Sequence, residues 1–401
     1  MSSLTWLDYS EHERRKALDV IDLFKQKETR DELGIGVIRD NFADLFFPGT
    51  STIQTRARYF LFIPWMYTSL ERKRVASSDI AGRARREETR LIEELAVSDD
   101  PDGTIGIEAR ASLKRLPSNI YWNGLGILGI RLYPGSQDAY HRSLDRFYAV
   151  GLRAVMTDDG EPIEGGRRAN WHLQLPAPPS TFPNGASFKL TKVEADYLSD
   201  RILNRAAGAL LAFLIDRGRI GDSTEFPWEH PQYAEFPVHV QDQLSHARNF
   251  SEVIHGAALL YNLMLAETAA NSDLINVYRS KLGNWAELLQ SRWSALQSWD
   301  QARFWRTAQS EAHRVSLHTR HFIQTWFDLA LDESRVGSVA EDKAARQLIH
   351  ARERMFKKGR ARLDNRRALD LWSGQAGTAR LDYRWSVSQT ILHDILSGLS
   401  R

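Results

Sequence analysis

Apolar residues return at three- and four-residue steps along most of the chain, the spacing that lines one face of an α-helix. The pattern predicts a first helix from about Glu11 to Lys27, with Ala17, Leu18, Ile21 and Phe24 on one face. A second runs from about Gly34 to Phe47 on Ile35, Ile38, Phe42 and Leu45, and Pro48-Gly49 breaks it. Thr50, Ser51 and Thr52 then offer caps for a third helix holding Ile53, Ala57, Phe60 and Leu61, which Pro64 should kink or end. Four Ser/Thr-x-x-Glu capping boxes mark helix starts: Ser10…Glu13, Thr29…Glu32, Thr191…Glu194 and Ser338…Glu341.

A charged helix follows from about Ile80 to Ala96, closed by the turn cluster at 98–103. The apolar segment from Ile120 to Ile130 carries Gly124, Gly126 and Gly129, each costing a helix about 1 kcal/mol against alanine. Close packing or a break is expected there. Ser136 should cap a helix reaching about Val150. Between 157 and 187 glycine pairs and prolines replace the periodic pattern, although Trp171 to Leu175 alternates as a short strand would. Beyond Thr191 the helical pattern resumes, broken near 226–237. Leu282, Trp285, Leu289, Trp293 and Leu296 form a packing seam, and a last helix follows from Trp385. The fold expected is mainly α. A helix-turn-helix-like domain occupies 1–156, a Pro/Gly-rich connector with minor β occupies 157–190, and a multi-helix domain occupies 191–401.

Charge changes this picture only locally. The 401 residues hold 53 basic and 51 acidic side chains, a net of +2, so no polyanion partner follows from composition. The basic residues are mostly arginine, which forks onto carboxylates and phosphates and stacks on rings, and 12 tryptophans supply rings. The absence of cysteine excludes disulfides, thiolate zinc sites and iron–sulfur clusters. The first residues lack the order of a signal peptide, and the longest apolar run, Ala257 to Ala266, is about half a membrane span. A cytoplasmic protein without a membrane segment is expected.

No phosphate loop, His-Glu-x-x-His, Gly-x-Ser-x-Gly or kinase signature is present, and no motif calls for a cofactor. His318 and His321 would share a helix face, with Glu311 and Asp328 nearby. His313 would point away by roughly 140°, leaving two local metal ligands at best. A basic segment is stronger. Between Lys343 and Arg367 lie ten Lys/Arg and two Asp/Glu, including Arg352, Arg354, Lys357, Lys358, Arg360, Arg362, Arg366 and Arg367. Facing outward together, these would grip a phosphate backbone; the bland alternative is a solvated or acid-paired helix face. Near the N-terminus Gln54, Arg56 and Arg58 would open the second helix of a helix-turn-helix, where such residue types read bases. Plain three-helix packing explains the same pattern.

Four stretches carry a family resemblance: Ser3 to Tyr9, Phe42 to Trp65, Arg115 to Ile130 and Leu381 to Trp385. Together they resemble a bacterial family catalogued as domain of unknown function 6361. The resemblance implies no catalytic residues. It implies a setting, that of accessory proteins of antiviral defence islands near helicases, DNA methyltransferases or phospholipase-D-like nucleases. The reading favoured is a non-catalytic subunit binding DNA or RNA and a partner enzyme. A protein-interaction scaffold without nucleic-acid contact and a metal-dependent nuclease-like hydrolase remain the alternatives.

Overall fold

The computed structural model describes residues 31–152, 169–219, 223–310 and 313–401. In chain order its helices are α1 (Gly36–Phe46), α2 (Tyr59–Arg72), α3 (Ile80–Ala96), α4 (Pro117–Ile127) and α5 (Gln137–Leu152). They continue as α6 (Lys192–Arg205), α7 (Leu210–Arg217), α8 (Val238–Thr268), α9 (Ser272–Ser291) and α10 (Trp293–Gln297). The last are α11 (Gln301–Thr307), α12 (Leu317–Ala330), α13 (Lys343–Lys357), α14 (Arg366–Leu369) and α15 (Trp385–Leu399). The fold is mainly α. No strand occurs among the described residues, and the β expected in the connector reduces to one antiparallel bridge, Arg131 with Trp171. No described helix is long and apolar enough to cross a membrane. The helix expected at 11–27 and the boxes starting at Ser10 and Thr29 lie outside the described residues.

The chain packs as two compact units, each built from separated stretches. One comprises Met1–Phe42 and Asp242–Leu381, the other Ala43–Gln241 and Asp382–Arg401.

In the second of these, α2 is the centre, with every residue from Tyr59 to Tyr67 buried. It packs on α3 and α4. Pro64 sits inside α2 and does not end it. Rings of Tyr121, Phe182 and Phe188 surround those of Tyr59, Phe60, Phe62 and Trp65, and this burial offsets the roughly 3 kcal/mol that an internal proline costs. No helix begins at Thr52. The loop preceding Tyr59 has its amides taken by distant side chains: Thr55 and Arg56 donate to the Tyr121 hydroxyl at 2.9 and 3.1 Å, and Ala57 donates to Asp394 at 2.9 Å. The box at Thr191 forms as expected, with the Glu194 amide donating to the threonine Oγ1 at 3.3 Å and the Thr191 amide to the glutamate at 2.9 Å. Ser136 likewise accepts from the Ala139 amide at 3.1 Å and starts α5. Helix α15 packs on α6 and α7. Gly398 permits the approach, since a Cβ there would stand 2.7 Å from the Ala195 Cβ.

In the other unit, Leu282, Trp285 and Leu289 of α9 and Leu296 of α10 are buried as the seam predicts, whereas Trp293 is only half-buried. Helices α12 and α13 pack together. Asp342, rather than Ser338, caps α13: its carboxylate accepts from the Ala345 amide at 2.9 Å and also receives the Arg335 guanidinium at 2.7 Å. A charged cap satisfied twice outcompetes the upstream hydroxyl.

Candidate nucleic-acid interface

Helix α13 divides the basic segment between two faces. Ala345, Ile349, Arg352 and Glu353 are buried, whereas Lys343, Gln347, Ala351 and Arg354 are exposed on a stripe roughly 80° wide. The buried face spends its charge internally. Arg352 donates to the Leu33 carbonyl at 2.7 Å, the Gly34 carbonyl at 3.0 Å and Thr319 Oγ1 at 2.9 Å, and lies 5.0 Å over the Phe322 ring. Burial lowers its pKa, yet every donor named has a carbonyl or hydroxyl partner.

Two carboxylates organise the turn after α13. Glu353, fully buried, accepts from the Arg362 and Leu363 amides at 2.8 and 3.0 Å and from the Tyr261 hydroxyl. Glu32 takes the Lys357 ammonium and, at 3.0 Å, the Arg362 guanidinium. Burial lowers the Lys357 pKa against the opposing pull of Glu32. Arg346 is held by Glu267 and by the Ala340 carbonyl at 2.7 Å. The outward continuous surface expected for Arg352, Lys357 and Arg362 is therefore not what their side chains form. Arg366 is exposed but pairs with Asp370 at 3.2 Å. Lys343, Arg354, Lys358 and Arg367 are exposed, and none is in an ion pair with another described residue; Arg360 is exposed as well.

The N-terminal candidates also face inward. Gln54 is buried, accepts from the Ser51 amide at 3.1 Å and donates to the Gly49 carbonyl at 3.1 Å. Arg56 pairs with Asp394 and Asp100, both at 2.9 Å. Arg58 is buried on Glu194 at 2.7 Å and on the Ser187 carbonyl at 2.8 Å. Gln54 closes the loop before α2 on itself, and Arg56 and Arg58 fasten it to its own unit, although the buried Arg58 Nε has no hydrogen-bond partner.

His318, His321 and Asp328 are exposed on α12, while Glu311 lies outside the described residues. Among the described residues no three His, Asp or Glu side chains group closely enough to hold a metal ion.

One cationic cluster escaped the sequence reading. The buried Glu252 carboxylate receives Arg248 at 2.9 Å, Arg380 at 3.3 Å and Arg292. Only the Arg248–Glu252 spacing of four residues was a local signal; the other two arginines arrive from elsewhere in the sequence.

With the site's geometry in view, comparison with known families gives one result, a match over residues 1–398. The chain belongs to DUF6361, a family of unknown function. No curated protein and no solved structure matches it. In this DUF6361 member, then, four cations of the basic segment are exposed and in no ion pair with another described residue.

Proposed function

We propose that this DUF6361 protein is a non-catalytic, nucleic-acid-binding assembly subunit of a prokaryotic antiviral defence system, acting in the cytoplasm beside a helicase, methyltransferase or nuclease. The observation that carries the binding part is the split of the basic segment. Its buried half fixes the helix and the turn, and its outer half keeps Lys343, Arg354, Lys358 and Arg367 exposed without acidic partners among the described residues. Such cations neutralise phosphates and release counterions, so binding is steeply salt dependent and largely indifferent to sequence. The family resemblance supports the defence setting.

Four phosphate contacts give a log–log salt slope of about −3 to −4 on duplex DNA. Fluorescence anisotropy with duplex DNA, single-stranded DNA and RNA across a salt series measures it. Replacing Lys343, Arg354, Lys358 and Arg367 together by Glu should abolish binding while the circular dichroism spectrum stays that of the parent. A folded variant that binds as before removes the segment from any nucleic-acid role.

A second reading, a protein scaffold without nucleic-acid contact, draws support from the internal commitment of Arg346, Arg352, Lys357 and Arg362. It predicts co-purification with a neighbouring gene's product that survives nuclease treatment, together with no salt-dependent affinity for any of the three probes.

A further inference from the structure

A cleft of about 460 Å³ opens in the unit containing α4 and α6, and its charge is one-sided. Arg131, Arg201, Arg205 and His172 line it, no carboxylate among the described residues does, and Tyr133 and Leu132 add an apolar wall. Its volume lies within the roughly 300–1,000 Å³ typical of small-molecule sites.

Arg131 is fixed by the bridge to Trp171, and its guanidinium donates to the carbonyls of Trp122 and Gly135, both at 3.2 Å, and of Tyr133. It also stacks 4.8 Å over the Trp122 ring. None of these partners is an anion. Arg205, at the end of α6, is exposed and is in no ion pair with a described residue. Arg201 is partly neutralised by Asp200 at 2.8 Å and donates to His172 Nε2 at 3.0 Å. Because a guanidinium only donates, Nε2 must accept and the ring proton sits on Nδ1. That Nδ1 is buried and has no hydrogen-bond partner.

The glycines of this stretch make the room. A Cβ at Gly126 would stand 3.0 Å from the Arg131 Cζ, and one at Gly129, where φ is +65°, would stand 3.2 Å from the Arg205 Nε. Two residues that weaken the helix pattern are thus the ones that let two guanidinium groups lie against the backbone. Uncompensated arginines beside an apolar wall match a dianionic head on an organic body, and the planar fork of arginine suits phosphate oxygens.

We propose that this cleft binds a small phosphomonoester of the mononucleotide class, with Arg131 and Arg205 on the phosphate and Tyr133 and Leu132 against the organic part. The site is independent of the basic segment discussed above. Isothermal titration of the full chain with adenosine 5′-monophosphate, inorganic phosphate and adenosine tests it. Saturable binding of the monophosphate is expected, with weaker binding of phosphate alone and none of adenosine. Arg205→Glu, an exposed change, should weaken the monophosphate at least tenfold, whereas Arg217→Glu, outside the cleft, should leave it unchanged. No saturable binding, equal affinity for inorganic phosphate and the monophosphate, or an unaltered Arg205→Glu variant would each overturn the proposal.

Discussion

The Trp285 indole of α9 lies so close to Gly256 of α8 that a Cβ at position 256 would stand 2.7 Å from its Cη2. The ring cannot easily retreat, because its Nε1 donates to the Glu252 carbonyl at 2.8 Å and it packs against Trp326. Gly256→Ala therefore sets two effects against each other. Helix propensity favours alanine by about 1 kcal/mol, and overpacking a held ring costs about 1–3 kcal/mol. Overpacking should win, with a net loss of up to about 2 kcal/mol in urea unfolding. In a Trp285→Phe background the same alanine should cost less. Equal costs in both backgrounds would show that the indole is not the obstacle.

A second expectation concerns Glu88. Its carboxylate is fully buried in the other unit and accepts from the Ser118 amide and hydroxyl, both at 2.7 Å. Burial raises its pKa from 4.5 to about 7, with the Ser118 hydrogen bonds opposing. The folded state thus holds this proton more tightly than the unfolded state. The stabilisation is complete below about pH 4.5 and is lost as pH rises to about 7, by an amount on the order of 3 kcal/mol. Glu88→Gln should flatten this part of the stability–pH profile. A slope that persists unchanged between those limits would assign the titration to another group.

His255 acts in the opposite direction and in the unit containing α8. Burial lowers its pKa from 6.5 to about 4, and nearby Arg380 and Lys281 press the same way, against the hydrogen bond to the Thr378 carbonyl at 2.9 Å. The unfolded state binds the proton more readily, so stability is full above about pH 6.5 and falls as pH drops through 4. The two units therefore have opposing pH trends from these two residues. Hydrogen exchange followed by mass spectrometry at pH 4.5 and 7 should show α8 amides opening more at the lower pH. His255→Gln should remove the difference; an α8 whose opening ignores both pH and the substitution would contradict the assignment.

How much of this was legible beforehand divides by the range of the interaction that decides each element. The helix at Ile80–Ala96, the Thr191–Glu194 box and the Ser136 cap depend on neighbours within four residues, and their sequence signals hold in the structure. The helix expected at Thr52 fails because Tyr121 and Asp394 take its amides, and neither is visible from a local window. The basic segment misled for the same reason. Its composition is local, but Glu32 lies more than 300 residues before Lys357 and Arg362, and it decides where their charges point. The arginine cleft was announced only obliquely, by Gly126 and Gly129, which have no evident reason to interrupt an apolar helix.

The division of α13 into an inner and an outer face yields a last expectation, in which two arginines two residues apart behave differently. Arg352 is 4 % exposed and its donors meet the Leu33 and Gly34 carbonyls and Thr319. Arg352→Ala removes a buried cation together with the partners of three acceptors and empties the space beside Phe322 and Phe356. A loss of about 2–4 kcal/mol is expected, combining unpaired carbonyls with a cavity. Arg354 is exposed, so Arg354→Ala should change stability by less than about 0.5 kcal/mol. Thermal melts of the two variants separate them directly. On nucleic acid the order reverses: under conditions where both variants remain folded, Arg354→Ala should make the salt slope shallower by about one contact and Arg352→Ala should leave it as it was. The reverse assignment would mean that the inner face, not the outer one, meets the phosphate backbone.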